Sequence, residues 1–231
     1  LYEMGIKKEL HDTILCEGTS MGIHESQSRM WENFVGRSKE FWLYWYPTFQ
    51  KYFPEILNNY PMEEFYRAIN IVQPSFIRVN ADEVTYGLHI ILRFELEKDL
   101  IEDKIQVNEL PELWNSKFEE LLGIIPSDDA LGVLQDIHWS MGSIGYFPTY
   151  FLGNLYGAQI YNDALKKHPS LPEDYKNGEF SNLLNYLREN VHQHGKIYRA
   201  NELIKKITGE NLNPKYFEEY IKKKYYPIYG F

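Results

Sequence analysis

The sequence predicts a mainly α-helical fold with a little β-strand, and three observations support this prediction. Apolar residues recur at spacings of three, four and seven along several segments, which is typical of amphipathic helices. Prolines stand where such segments begin, and Gly209 stands where one ends. No flexible linker or fixed-period repeat divides the 231 residues, of which 44% are hydrophobic and 25% charged. We therefore expect a single domain over residues 1–231.

The first predicted helix covers residues 26–52, and Ser26 is its expected N-cap. A second helix is expected to begin at Pro61 and to be stopped by Pro74. The residues around that stop, 72–80, have the composition of a short extended piece. This piece is the small amount of strand in the predicted fold.

The stretch at residues 92–97 alternates strictly between apolar and charged residues, as a strand would. The apolar run before it and the total length of the segment nevertheless favour a buried helix, which is our prediction. The later segments carry clearer helical spacing. Further helices are therefore expected at residues 111–121, 147–165, 181–191, 201–207 and 214–225.

Charge and cysteine content exclude several classes of protein. The formal net charge is −9 and the isoelectric point is about 5.3, which argues against nucleic acid as the main partner. The single cysteine, Cys16, cannot form an intramolecular disulfide or a cysteine-based zinc site, and it fits a reducing cytoplasm. No run of about 18 apolar residues could span a bilayer, so no membrane partner is expected.

A first candidate site lies in residues 22–29, GIHESQSR, where His24, Glu25 and Arg29 fall close together at the start of a helix. Glu25 and Arg29 are neighbours at i and i+4 if the segment is helical. The alternative is a capped helix in which Glu25 is paired with Arg29. Composition alone favours this alternative.

A second candidate is Arg78 in residues 77–82, IRVNAD, where an extended segment runs into a helix. The rigid fork of arginine is suited to holding a carboxylate at two points. The alternative is an internal salt bridge that caps the following helix, and for an isolated arginine it is the better interpretation.

A third candidate is residues 132–139, GVLQDIHW, followed by the glycine- and tyrosine-rich loop 142–150. Gln135 and His138 share a face if this segment is helical. The hydroxyls of Tyr146 and Tyr150 could donate hydrogen bonds to developing negative charge. The alternative is an aromatic loop packed on the core, with His138 satisfied by Asp136 or by the backbone.

These three segments follow one another along the chain in the same order as three motifs of one enzyme family. Residues 24–29, 77–82 and 132–139 resemble the HESQSR, IRxxAD and GxxQDxHW motifs of the carboxypeptidase Taq family, and residues 145–150 and 190–195 resemble it as well. The similarity covers nearly the whole chain. It implies a zincin-like helical metallopeptidase that releases C-terminal amino acids from peptides with zinc, for which cobalt or another divalent metal can substitute.

The resemblance also implies residue roles. Glu25 is the downstream zinc ligand, and Arg78 recognises the free C-terminal carboxylate of the peptide. His24 is not a ligand; it either supports the metal ligands or lies in the cleft on the substrate side. Gln135 belongs to the substrate side too, chiefly by orienting its neighbours. The candidates for holding the scissile carbonyl or its tetrahedral intermediate are His138, Tyr146 and Tyr150.

One family motif is missing. No HExxH occurs in the sequence, and the family places it immediately before a segment like residues 1–3. We expect that the chain begins inside that helix and is incomplete at its N-terminus. Without two zinc ligands and the general base, it should be inactive alone and should not retain zinc.

Three explanations fit the missing motif. The chain can be a fragment of a longer enzyme, which we favour, or half of a split enzyme completed by an N-terminal chain that supplies HExxH. It can also be a non-catalytic peptide-binding or interaction remnant of the same fold. The resemblance further suggests a homodimer.

Overall fold

The computed structural model describes residues 1–231 and consists of helices and connecting segments, with no β-strand. The α-helices, numbered in chain order, are α1 Met21–Arg29, α2 Lys39–Tyr52, α3 Pro54–Leu57, α4 Met62–Ile69, α5 Tyr86–Ile101, α6 Leu110–Leu122, α7 Pro148–Lys167, α8 Leu171–Lys176, α9 Ser181–Asn190, α10 Ala200–Thr208 and α11 Lys215–Tyr229. The predicted mainly α class is confirmed.

The predicted strand around residues 72–80 is absent. That segment is irregular and ends in a short 3-10 helix, Arg78–Asn80. A strand needs a partner for its backbone groups, and Pro74 has no N–H to offer one. No helix of the chain is both long and apolar enough to cross a membrane.

The chain forms two compact units, residues 1–70 with 152–231 and residues 71–151. The prediction of one domain stays a prediction. In the first unit, apolar side chains from α1, α7, α9 and α10 meet in a common core that includes Ile23, Ile160, Leu187 and Ile204, each fully buried.

The prediction of one helix over residues 26–52 is wrong in two respects. The first helix begins at Met21, and its N-cap is Ser20, whose hydroxyl accepts a hydrogen bond from the Ile23 N–H at 3.2 Å. Ser26 lies buried inside α1 instead. After α1 the chain continues as a π-helix, Met30–Val35, and breaks before α2. An apolar stripe continues across such a break, so spacing alone could not show it.

The later helices follow their predictions closely. The helix predicted from Pro61 ends at Ile69, before the predicted stop at Pro74, and α7, α9, α10 and α11 occur where they were expected. Gly209, with φ 82°, ends α10 as predicted. The short helices α3 and α8 were not predicted, because a single turn carries too few residues for a periodic pattern.

In the second unit, α5 packs against α6 through a core that includes Leu92, Leu96, Trp114 and Phe118. The helical interpretation of residues 92–97 is confirmed. The alternation arose because α5 buries charged residues as well as apolar ones. Residues 123–147 form no regular helix, so Gln135 and His138 do not share a helix face.

Candidate functional site

Glu25 lies in the middle of α1, in the first unit, and both of its carboxylate oxygens are already engaged. Oε1 accepts a hydrogen bond from Arg29 Nε at 2.8 Å, and Oε2 accepts one from the Ser28 hydroxyl at 2.8 Å. The i,i+4 pair that the sequence predicted is therefore present. Gly153 of α7 makes this placement possible, because a Cβ there would lie 2.5 Å from Glu25 Cγ.

His24 is exposed and is not bound to Glu25. Its ring stacks on Tyr2, with the ring centres 5.7 Å apart, and Tyr2 also contacts the ring of buried His192 at 5.0 Å. The imidazole of His24 is thus supported on one side and accessible on the other, as a residue on a cleft wall or a surface would be.

The residues of this chain do not by themselves fit a zinc site. No group of three or more His, Cys, Asp or Glu side chains lies close enough together to hold a metal ion. A catalytic zinc takes three protein ligands, whereas Glu25 is one carboxylate held by Arg29 and Ser28. The chain by itself therefore does not provide a three-ligand site, and no catalytic step through a metal follows from this structure.

In the second unit, Arg78 is buried, with 5% of its surface exposed, and is bound to Asp136. Its Nε lies 3.2 Å from both carboxylate oxygens and its Nη2 lies 2.7 Å from Oδ1, while Nη1 donates to the Tyr86 hydroxyl at 3.2 Å. The Tyr150 ring covers the guanidinium, 4.8 Å from its carbon. The internal salt bridge is therefore present, although its partner is Asp136 and not the helix that follows.

The guanidinium of Arg78 still has donors to spare. Arginine carries five side-chain N–H groups, and the contacts with Asp136 and Tyr86 use three of them, which leaves two. A carboxylate that reached this group could therefore be bound without displacing Asp136. Burial opposes a charged Asp136, but the hydrogen bond from Arg78 and the charge of Arg93 lower its pKa below the usual value.

Gln135 connects the Arg78 segment to the loop that follows α6. Its Oε1 accepts a hydrogen bond from the Arg78 backbone N–H at 2.8 Å. Its Nε2 donates to the carbonyls of Phe76 and Leu131, each at 2.9 Å. The amide is therefore occupied by the backbone, which is the geometry of a residue that orients its neighbours.

His138 lies among aromatic rings beside this arginine cluster. Its Nε2 is 3.1 Å from the Tyr150 hydroxyl, and its ring centre is 4.5 Å from that of Phe147 and 5.4 Å from that of Tyr146. Its Nδ1 is 3.8 Å from Asp136 Oδ1. Burial lowers the pKa of His138, so the imidazole is neutral at pH 7.

The tyrosines beside His138 are suited to donate hydrogen bonds. Burial and the neighbouring Tyr146 raise the pKa of Tyr150 to about 12, so its hydroxyl stays protonated. The half-buried ring of Tyr146 contacts that of Tyr150 edge-on, with the centres 5.3 Å apart. Five predicted site residues therefore meet in the second unit: Arg78, Gln135, His138, Tyr146 and Tyr150.

Two charged residues of α5 belong to this cluster and were not predicted. Arg93 has no exposed surface and its Nε donates to Asp136 Oδ2 at 2.7 Å. Glu97 accepts hydrogen bonds from the Trp139 indole at 2.6 Å and from the Gly145 N–H at 2.7 Å, so it anchors the loop that carries Tyr146. The available signal was their i,i+4 spacing, which places them on one face of the helix.

Comparison with known proteins places these features in one family. The family model for "Carboxypeptidase Taq (M32) metallopeptidase" matches residues 1–225. Carboxypeptidase 1 from Bacillus subtilis (strain 168) is 46% identical over 229 residues, which are 99% of this chain and 46% of that protein. Thermostable carboxypeptidase 1 from Pyrococcus furiosus is 47% identical over 225 residues, 97% of this chain and 45% of that protein.

Solved structures agree with this assignment. The M32 carboxypeptidase from Deinococcus radiodurans R1 matches with a TM-score of 0.97 at 43% identity, and the match covers the whole of this chain and 46% of that one. The chain spans a little under half the length of the relatives that it matches. The family model covers nearly all of this chain, so the chain belongs to the carboxypeptidase Taq (M32) family of metallopeptidases.

Proposed function

We propose that this chain is part of a zinc-dependent carboxypeptidase that releases single amino acids from peptides with a free C-terminus. The observation that carries the proposal is the cluster around Asp136, where Arg78 keeps two free donors beside the neutral His138 and the protonated Tyr150. A carboxylate receptor and neutral hydrogen-bond donors are the groups that C-terminal peptide cleavage requires.

In this proposal Arg78 binds the C-terminal carboxylate of the substrate. Its rigid fork supports binding at two points, and Asp136 keeps it from rotating away. Gln135 fixes the backbone of Arg78 and acts through it. His138, Tyr146 and Tyr150 donate hydrogen bonds to the scissile carbonyl as negative charge develops on its oxygen.

We assign two residues of α1 to the same activity. Glu25 supplies one carboxylate ligand to a divalent metal, which the family resemblance makes zinc, with cobalt as a substitute. His24 contributes to the substrate side of the cleft, and its accessible ring supports that role. Because the chain does not fit a metal site by itself, we expect it to be inactive alone and to hold zinc only with a polypeptide that carries HExxH.

The setting we propose for this activity is a cytoplasmic homodimer that acts on peptides and not on nucleic acid. The acidic composition argues against nucleic acid, the single cysteine fits the cytoplasm, and the homodimer rests on the family resemblance.

A non-catalytic peptide-binding protein is the second candidate. The observation that favours it is that the cluster around Arg78 is complete within residues 71–151 and includes no metal ligand. Such a protein would bind free C-termini without cleaving them.

One assay distinguishes carboxypeptidase function from peptide binding without cleavage. The chain is mixed with an HExxH-bearing polypeptide from the family and supplied with zinc, and amino-acid release is measured from a peptide with a free C-terminus and from the same peptide as a C-terminal amide. Carboxypeptidase function predicts release from the free peptide only, and its loss with Glu25→Gln. Binding of the free peptide without release would support the second candidate.

A further inference from the structure

One buried carboxylate of α5 binds both ends of a loop in the second unit. Glu97 has 5% of its surface exposed. Its Oε2 accepts a hydrogen bond from the Trp139 indole N–H at 2.6 Å, and its Oε1 accepts one from the Gly145 backbone N–H at 2.7 Å. Trp139 and Gly145 are the first and last residues of the loop 139–145, so one side chain connects the two ends of this loop.

The residues on either side of the loop are His138 and Tyr146, and the proposed function assigns both to the scissile carbonyl. Their ring centres lie 5.4 Å apart, although seven residues separate them in the sequence. A chain of that length can span about 20 Å, so the length of the loop does not set this separation. The two hydrogen bonds to Glu97 hold both ends of the loop against α5.

Hydrogen bonds within the loop order its first part. The N–H of Ser143 donates to the His138 carbonyl at 2.9 Å and closes a turn there. At the other end, Gly145 has a φ of 76°, a left-handed conformation that glycine adopts without steric cost. Its N–H is the group that binds Glu97, so this bond joins the end of the loop that leads into Tyr146 to α5.

We infer that Glu97 is a positioning residue, whose two oxygens connect the ends of the loop 139–145 and so hold His138 and Tyr146 together beside the scissile carbonyl. The inference deepens the proposed function and rests on its assignment of these two residues. The side-chain contacts of Arg78 are made with Asp136 and Tyr86 and not with Glu97. Binding of the substrate carboxylate should therefore not depend on this connection.

Glu97→Gln tests the connection, because only a carboxylate offers an acceptor to each of the two N–H groups. Glutamine keeps the size of the side chain but replaces one oxygen by an NH₂ group, which donates and cannot accept. One end of the loop is then released, and its N–H loses its acceptor. Glu95→Gln is the matched control, since it makes the same change on the same helix at a partly exposed glutamate that pairs with Lys117.

The first measurement follows two N–H resonances in the isotope-labelled 231-residue chain: the Trp139 indole and the Gly145 amide. A short hydrogen bond to a carboxylate moves its proton downfield. Glu97→Gln should move both resonances, because one N–H loses its acceptor and the other exchanges a carboxylate for a neutral amide oxygen. Glu95→Gln should leave both unchanged. Unchanged resonances in Glu97→Gln would overturn the inference.

The second measurement is amino-acid release by this chain mixed with an HExxH-bearing polypeptide of the family and zinc. Glu97→Gln should lower kcat by about tenfold to a hundredfold, as a displacement of about 1 Å does, and change KM by less than about twofold. Tyr146→Phe should lower kcat as well, and the two changes together should lower it by less than the product of their separate effects. A purely structural role of Glu97 would reduce the folded fraction by one factor in both backgrounds, so the effects would multiply.

The inference is overturned if Glu97→Gln leaves kcat unchanged, or if its effect multiplies with that of Tyr146→Phe. If Glu97→Gln does not fold, Glu97→Asp takes its place, because the shorter side chain keeps both acceptors but withdraws them from the ends of the loop. A wild-type mixture that releases no amino acid contradicts the proposed function, and the inference falls with it. Release by the wild type without any effect of Glu97→Gln contradicts the inference alone.

Discussion

At the residue scale, the most informative contact is the salt bridge between Arg78 and Asp136. It shows which of the two roles predicted for this arginine its internal contacts allow. The sequence offered both a carboxylate clamp and an internal salt bridge. The structure has the salt bridge and leaves two donors free, so the two roles are compatible. A sequence cannot reveal how many N–H groups of an arginine remain after its internal contacts are made.

We predict that, in the chain mixed with an HExxH-bearing polypeptide of the family, Arg78→Ala strongly reduces the release of C-terminal residues while the zinc content stays unchanged. Loss of a buried charged contact costs about 2 to 5 kcal/mol, so kcat/KM should fall by at least about thirtyfold. Arg37→Ala, at an ion pair on the surface of the first unit, is the control and should have little effect. Unchanged kcat/KM in Arg78→Ala would remove Arg78 from the site.

A second residue-scale prediction concerns the space beside Glu25. Gly153→Ala places a Cβ 2.5 Å from Glu25 Cγ and should reduce the free energy of unfolding by about 1 to 3 kcal/mol. Gly157→Ala, one turn further along α7, meets its nearest atoms at 3.3 Å and should cost less. Denaturant unfolding of both variants makes the comparison. If both substitutions reduced the free energy of unfolding equally, the contact between Gly153 and Glu25 would not be tight.

Sequence reasoning proposed Glu25, Arg78 and His138 as site residues but did not propose Arg93. Motif resemblance identifies residues inside motifs, and Arg93 lies between two of them. It is also a charged residue, for which the ordinary expectation is an exposed position, whereas Arg93 is fully buried. Only the packing of α5 against the loop after α6 brings it to Asp136.

At the element scale, the structure differs most from the sequence prediction at the start of the first helix. The helix begins five residues before the predicted N-cap, and the π-helix Met30–Val35 separates it from α2. As a result the whole segment 24–29 lies within α1 and not at its start. Apolar spacing located the helical region but could not distinguish Ser20 from Ser26 as its cap.

We predict that Ser20→Ala destabilises the first unit by about 1 kcal/mol, the usual value of an N-cap hydroxyl. Ser127→Ala, in an exposed loop of the second unit, is the control. Thermal unfolding followed by circular dichroism measures both. If Ser20→Ala unfolds at the wild-type temperature, the hydroxyl does not cap α1.

At the scale of the whole molecule, the spacing of apolar residues predicted the helical class, and the family resemblance predicted relatives that the comparisons confirm. The division into two compact units could not be predicted, because no linker marks it. The chain continues from one unit to the other through segments whose composition resembles that of the rest.

Stability should depend on pH through two fully buried histidines, one in each unit. Burial lowers the pKa of His89 to about 3 and that of His192 to about 4. In the unfolded chain both titrate near 6.5, so between these values the unfolded state binds more protons than the folded state. The free energy of unfolding therefore has its full value above about pH 6.5. Below that pH it falls by about 1.4 kcal/mol per pH unit for each histidine.

Denaturant unfolding at pH 7.5, 6 and 5 measures this dependence. His192→Gln should reduce the slope, and His11→Gln, at an exposed position, serves as the control. A wild-type stability that does not change between pH 7.5 and 5 would show that neither histidine is held neutral in the folded state.

We propose that this chain carries one ligand of a metal site and the carboxylate receptor of a carboxypeptidase, but not a complete metal site. The most direct measurement is zinc content after gel filtration, for the chain alone and after mixing with an HExxH-bearing polypeptide from the family. We predict no stoichiometric zinc in the chain alone and stoichiometric zinc in the mixture, reduced by Glu25→Gln. Stoichiometric zinc in the chain alone, or none in a folded complex, would contradict the account.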